Sequence, residues 1–401
     1  MTFIPGPLAR SLSNKLLAFA MLMLLASVPL SAQNYQIIVF FGAGASLPGP
    51  LTVDRFGNLY APTVEGGFTN NQWCMMLGGC GTAWKFYAHG SSWLGNELYQ
   101  FTNGTDGYGP LTPIAVAASG VAFGGALIGN GGIYELRPGA TRPSSAVAPW
   151  NETTVTSNLR PSGYLAIDAN GNIYGTSFEF GNGEVFELSP TQGGYTLTTL
   201  YTFQGGADGG HPMYGVLLDP AGNLYGTTQV GGSTVCGTVF ELTRSGANWT
   251  KTTLYAFQGG SDGCQPSGPL ARDSAGNLYG GTVYQDQGGP STVYELSPQN
   301  GGWTFSVPQS FSSDGPTGSL AVDTAGDVYG TRGGSIFKLT PSGGNWTYTS
   351  LHEFCRGGDD GCFPEGVALD SNGNLFGATV EGGPTNGVCQ SGCGTIWEIT
   401  P

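Results

Sequence analysis

Five loops of this 401-residue chain set an aspartate inside a glycine turn. They read Asn103-Gly-Thr-Asp-Gly107, Gly205-Gly-Ala-Asp-Gly209, Gly259-Gly-Ser-Asp-Gly263, Ser312-Ser-Asp-Gly315 and Gly357-Gly-Asp-Asp-Gly361. The carboxylates concerned are Asp106, Asp208, Asp262, Asp314 and Asp359 or Asp360. Brought into one ring, they would have the oxygen-donor chemistry for calcium, or for a cationic group on a ligand. The competing use is local: an Asp side chain accepts backbone N–H bonds and holds a tight turn. Recurrence in loop after loop favours the turn, because a catalytic carboxylate is usually a single departure from a repeat. The three histidines, His89, His211 and His352, share no spacing. His211, in Gly210-His-Pro212, is the one best placed for binding. No GxSxG, P-loop, HExxH or EF-hand pattern is present.

These loops must be positioned by something regular, and the chain supplies it. Asp219-Pro-Ala-Gly-Asn-Leu-Tyr-Gly-Thr-Thr228 recurs from Asp54, Asp168, Asp273, Asp323 and Asp370, with a worn copy from Ala117 to Ala126. The turn glycines are Gly57, Gly120, Gly171, Gly222, Gly276, Gly326 and Gly373, spaced 47 to 63 residues apart. Such a period belongs to a propeller or a solenoid. In the clearest unit, Gly215–Asp219 reads as a short strand A and Leu224–Thr228 as strand B. Gly237–Leu242 reads as strand C, Thr243–Ala247 as a turn, and Trp249–Phe257 as an alternating strand D. Four short antiparallel strands per repeat make a propeller blade. The Asp ending strand A is expected to cap the A–B turn. The Glu that recurs in strand C is expected to pair with a neighbouring blade.

The last unit stops after strand C, and Tyr35–Phe41 reads as a strand D with no blade before it. The expected fold is therefore an all-β, seven-bladed propeller. Its ring is closed by the N-terminal strand, which would otherwise leave open edges. The second unit is the weakest, with its strand D expected near Thr153–Thr156.

In such a meander the B–C and D–A loops share one face of the disc, and all eight cysteines fall in those loops. The blade map pairs Cys74 with Cys80, Cys236 with Cys264, Cys355 with Cys362 and Cys389 with Cys393. An even count fits an oxidising compartment, and the absence of CxxC pairs or His partners argues against zinc.

Residues 1–32 read as a secretory signal peptide. Arg10 and Lys15 precede an apolar run, Leu16–Leu30, too short to span a membrane, and Ser31-Ala32 offers small residues for cleavage. Residues 33–401 are then one propeller domain. Removing the leader takes two of the 13 basic residues and none of the 27 acidic ones, so the net charge moves from −14 to −16. Nucleic acid and anionic membrane surfaces are excluded as partners. With 70 glycines gathered at turns, yet 12% aromatic residues, the composition is that of many short strands rather than of disorder.

The core D-x-x-G-N-L-Y-G-T-T, then G-T-V-F-E-L, then W-T-x-T-x-L-Y-x-F-x-G-G-x-D-G, resembles the GloVer (Gloeo/Verruco) tandem repeat of exported "choice-of-anchor" bacterial proteins. The resemblance is close around Gly171, Gly222, Gly276, Gly326 and Gly373, partial around Gly57 and poor around Gly120. It implies export and repeats, and no catalytic residues. The chain reaches Pro401 without an anchor segment, so release from the cell, or residence in the envelope, is expected.

The expected function is a secreted, monomeric binding module for a glycan, a peptide or an exported protein. Trp73 and Tyr108, in irregular loops of the cysteine-bearing face, join His211 as contact candidates. Two other readings are carried: a propeller lyase or hydrolase with a metal, calcium or another divalent ion, at the channel mouth, and a structural envelope protein with no small ligand.

Overall fold

The computed structural model describes residues 33–400 apart from 43–44, 68–69, 71, 77, 111, 127–131, 140–149, 158, 179–180, 247, 284–288, 357–359 and 384–391. Among the described residues the strands group into seven antiparallel sheets, each ordered A-B-C-D, arranged as a seven-bladed propeller. Blade 4 is representative, with strands Val216–Leu218, Leu224–Thr228, Thr238–Ser245 and Asn248–Ala256. Blade 7 takes strands A to C from the C-terminal repeat and its outermost strand, Asn34–Phe40, from the N-terminus. Strand A is split in two in blade 1 (Ala45–Pro48, Thr52–Val53) and in blade 7 (Cys362–Pro364, Ala368–Leu369). Strand D of the weak second blade spans Trp150–Thr156.

The repeated A–B turn is a carboxylate cage. Asp219 Oδ1 accepts the amides of Ala221 and Asn223, both at 2.8 Å, while Oδ2 accepts the Asn223 side chain and the Tyr225 hydroxyl. Asp54 and Asp168 repeat the set. The glycine of the turn adopts a left-handed backbone, as at Gly222 (φ 89°), where other residues are strained. This chemistry explains the D-x-x-G-N-x-Y spacing residue by residue.

Two of the expected details are corrected. First, strand C and strand D run on to the pair Ser245↔Asn248, so the turn is tighter than Thr243–Ala247. Secondly, strand D does not alternate simply. Val239 pairs with Tyr255 but Phe240 with Thr253, leaving Leu254 as a bulge. Leu98, Leu200 and Leu351 sit in the same register break of blades 1, 3 and 6. Since Trp249 and Phe257 are eight residues apart, uninterrupted alternation would put both on one face of the sheet. One extra residue turns them to opposite faces.

Each strand D thereby touches both neighbouring blades. Trp249 packs edge-on against Tyr174 of strand B in blade 3, and Phe257 against Tyr294 of strand C in blade 5. The same two contacts recur as Trp303–Tyr225, Trp346–Tyr279 and Trp93–Phe376, and as Phe203–Phe240, Phe101–Tyr134 and Phe354–Trp397. The closing strand obeys the rule. Phe41 packs against Trp84 and Phe86 of blade 1. Tyr35 stacks on His352 at 3.7 Å and donates to the Asp360 carbonyl. The glycine of strand B makes room for the strand C ring: a Cβ at Gly226 would stand 2.6 Å from Phe240 Cζ.

The strand C glutamates do not uniformly pair with the next blade. Glu187, Glu241 and Glu295 accept from the strand B tyrosine of their own blade (Tyr174, Tyr225, Tyr279). Where strand B carries phenylalanine the glutamate does turn to its neighbour. Glu135, beside Phe123, accepts from Tyr195, and Glu398, beside Phe376, from Trp93. The partner is chosen by whether a hydroxyl is within the blade.

Two outcomes are expected. Deleting Leu254 puts Tyr255 and Phe257 on the wrong face, so thermal denaturation is expected to show a chain that is unfolded or melts more than 10 °C lower. Leu254→Ala, which keeps the register, should cost only about 1–3 kcal/mol. The second concerns pH. Burial holds the His352 imidazole below its usual pKa, partly opposed by Asp360. The unfolded chain therefore takes up the proton first, and stability is lost as pH falls below about 6.5. His352→Phe, which keeps the stack on Tyr35, should flatten the fall in melting temperature between pH 7.5 and 5.

Candidate functional site

The two faces of the disc differ in kind. One carries the A–B turns, caged by an aspartate in six of the seven blades. The other carries the B–C and D–A loops, where the repeats diverge. In several D–A loops the residue before the proline stitches these loops together. His211 N donates to Asn182 O (2.8 Å), and its carbonyl accepts from Gln229 N (3.0 Å). Gln265 does the same between Cys236 O and Val283 N. This hinge requires a left-handed backbone: φ is 56° at His211, 54° at Gln265, 57° at Phe363 and 59° at Gly109. Three blades therefore hold bulky side chains in a conformation that favours glycine, at a cost of about 1–2 kcal/mol each.

Disulfides brace the same loops. Cys74–Cys80 closes the long B–C loop of blade 1, Cys236–Cys264 joins a B–C loop to the following D–A loop, and Cys355–Cys362 ties the D–A loop between blades 6 and 7. The fourth expected pair involves Cys389, which lies outside the described residues; Cys393 is fully buried.

Trp73 stands on a short helix, Gln72–Met76, whose buried Cys74 anchors it. Trp73, Met75 and Met76 are 62%, 66% and 71% exposed. Phe363 is 58% exposed and Phe178, near the His211 ring (6.4 Å), is 42% exposed. Phe363 forms one wall of a cleft of about 700 Å³ with Val283, Ser313, Asp314, Thr317 and Gly333. Tyr108 is placed differently: it is half-buried against the cluster containing Cys74 and Cys80, so it supports the loop. Phe363 and Phe178 were not singled out from sequence. The signal for Phe363 lay in the recurring x-Pro position, where Gly109 stands in another blade.

Three of the loop aspartates, Asp106, Asp208 and Asp262, are taken up locally. Asp106 accepts from the Thr102 amide and hydroxyl, the Gly104 amide and Tyr99. Asp262 accepts from the Gln258 amide and Tyr255. At Asp208 burial alone would raise the pKa, but the Gln204 amide, Tyr201 hydroxyl and Lys251 ammonium hold the carboxyl below its usual value. Asp314 is exposed in the cleft, Asp360 lies 3.4 Å from His352 Nε2, and Asp359 is outside the described residues. Among the described residues no three His, Cys, Asp or Glu side chains are grouped to hold a metal ion.

Residues 117–332, more than half of the chain, match the Gloeobacter/Verrucomicrobia repeat. The chain belongs to this repeat family. No curated protein matches it. Among solved structures, this repeat propeller is similar to an extracellular domain from a one-component system of B. thetaiotaomicron. There the TM-score is 0.52 at 14% identity, over 91% of this chain and 40% of that one. It is also similar to the PQQ-bound aldose sugar dehydrogenase of Streptomyces coelicolor (TM-score 0.48, 14% identity, 92% and 99% covered). A gluconolactonase from Xanthomonas campestris follows (TM-score 0.42, 13% identity, 90% and 98% covered). Likeness at these identities shows the fold alone.

The left-handed hinge gives a stability test. Replacing a residue by glycine usually destabilises, through the entropy of the unfolded chain. Phe363→Gly and Gln265→Gly are instead expected to leave stability unchanged or raise it by up to about 1 kcal/mol. Chemical denaturation checks this; a loss above 1 kcal/mol would show that these side chains are held by packing.

Proposed function

We propose that this repeat propeller is an exported binding module that presents its disulfide-braced loop face to a glycan, a peptide or another exported protein. One observation carries the reading: exposed aromatic side chains stand in the loops that depart from the repeat, on a backbone held rigid by cross-links and hinge hydrogen bonds. Aromatic anchors on a rigid frame bind at low entropic cost. The signal-peptide character of residues 1–32, which lie outside the described residues, and the disulfides support export. The asymmetry between faces supports the location, since the cage face repeats one structural solution while the loop face varies.

Glycan and peptide arrays probed with the mature protein test this. A ligand found there should bind Trp73→Ser or Phe363→Ser at least tenfold more weakly, a loss of about 1.4 kcal/mol. Phe56→Ser, an exposed residue on the cage face, should bind as wild type. Loss with Phe56→Ser and no effect at Trp73 or Phe363 would overturn the assignment.

A further inference from the structure

Blade 6 departs from the other blades in its B–C connection. Its strand B ends at Arg332 and its strand C begins at Ser335, so Gly333 and Gly334 make the whole turn. The same connection runs from 229 to 237 in blade 4 and from 67 to 81 in blade 1. In those two blades it reaches the following D–A loop: Gln265 N donates to Cys236 O (2.8 Å) and Gly109 N to Cys80 O (2.9 Å). Among the described residues no backbone bond joins Gly333 or Gly334 to Phe363, the corresponding residue after blade 6. The cleft of about 700 Å³ opens at this shortened turn, lined by Val283, Asp314, Thr317, Gly333 and Phe363. Its volume lies in the range of small-ligand sites, roughly 300–1,000 Å³.

The aspartate of this cleft is released as well. Elsewhere the D–A carboxylate accepts from the ring residue of the preceding strand D: Asp106 from Tyr99 (3.1 Å), Asp208 from Tyr201 (2.7 Å) and Asp262 from Tyr255 (2.9 Å). Blade 5 has Gln309 at that place, and its side-chain amide donates to the Ser310 carbonyl (2.7 Å) instead. The loop is also shorter: Asp314 follows Phe311 by three positions, where Asp262 follows Phe257 by five. Arg332 fixes the backbone here. Its Nε donates to the Asp314 carbonyl (2.9 Å), and its guanidinium lies over the Phe311 ring (4.4 Å). Among the described residues no donor reaches the Asp314 carboxylate, which is exposed in the cleft. Phe363 departs from expectation in another way. It is exposed and holds φ at 57°, where Gly109 serves in another blade. A strained side chain that is also exposed answers no packing need. The Thr317 hydroxyl donates to the Pro364 carbonyl (3.3 Å) and so holds the segment that carries this ring.

From the cleft, the free carboxylate and the aromatic ring that line it, we infer a subsite for one ring of a neutral sugar. The inference rests on the loop-face reading above and names the ligand class at one place on that face. A carboxylate accepts hydrogen bonds and donates none, so the ligand must donate, and two neighbouring hydroxyls match its two oxygens. Such bonds to an ionised acceptor are stronger than neutral ones. Phe363 offers a flat apolar surface to the C–H face of a pyranose. Ser312 and Ser313, both exposed, add hydroxyls at the rim. A cationic side chain would also donate, but Arg332 already sets a positive charge against this loop. A divalent metal fits poorly, because the described residues offer no group of three acidic, His or Cys ligands.

The test is calorimetric titration of the mature protein with cellotetraose, xylotetraose and maltotetraose, with N-acetylarginine amide and calcium chloride as parallel probes. At least one of the sugars is expected to bind at millimolar concentration or below, and neither parallel probe. Asp314→Asn and Phe363→Leu should each weaken that sugar at least tenfold. Phe363→Tyr, which keeps the ring, and Trp73→Ser should bind it as wild type. Without ligand, Asp314→Asn should melt with the wild type, since no protein donor is lost; a lower melting temperature would give the carboxylate a structural role and overturn the subsite. Circular dichroism checks that each variant folds; if Phe363→Leu does not, Asp314→Asn decides. No binding of any of these sugars, binding of the arginine amide or calcium in their place, or sugar binding that persists in Asp314→Asn or Phe363→Leu would overturn the inference. Sugar binding that needs Trp73 and neither of these residues would overturn the cleft and leave the loop face as the binding surface, so the two readings fail separately.

Discussion

Everything in this molecule hangs on strand D reaching two neighbours at once. A blade of four short strands buries too little by itself to be stable. Its faces must be covered by the blades on either side, and the aromatic rings of strand D do this. The bulge at Leu254 and its equivalents is what makes it geometrically possible. Trp249 covers the cage tyrosine of blade 3, while Phe257 enters the core of blade 5. Removing the extra residue would leave one neighbour uncovered. The same constraint explains why the N-terminal strand must join the last blade. Without Tyr35 and Phe41, blade 7 would lack its outer strand and blade 1 the ring against Trp84.

A closed ring of this kind frees two regions from structural duty: the loops on one face, and the side chains around the axis. The cage face is committed, since each Asp, Asn and Tyr there holds its own turn. On the loop face the backbone is fixed by hinge bonds and disulfides, and the side chains vary. At the start of strand A the usual occupants are glycine and proline. Tyr164, Ser319 and Glu365 depart from that rule.

Much of the architecture was legible because the signals are local. Asp219, Gly222, Asn223 and Tyr225 act within seven residues of one another, so spacing alone reveals the cage. The orphan strand Tyr35–Phe41 was legible by subtraction, since one repeat lacked what the N-terminus supplied. The bulge was hidden because Trp249 to Phe257 also fits plain alternation; only the strand pairing shows the break. The partners of the strand C glutamates were hidden for another reason. Glu135 and Glu187 look alike in sequence, and what separates them is Phe123 against Tyr174 on the adjoining strand. The strained backbone at Phe363 was marked only by its place before a proline, because phenylalanine does not advertise a left-handed turn as glycine does.

The claim on which the rest depends is that the N-terminal strand is an integral part of the last blade. Native-state amide hydrogen exchange of the mature protein measures this directly. The backbone amides of Tyr35–Phe41 should be protected to the same degree as those of a strand D inside the ring, such as Asn248–Ala256. Exchange of that segment at the rate of a frayed terminus, with Asn248–Ala256 still protected, would contradict the closure.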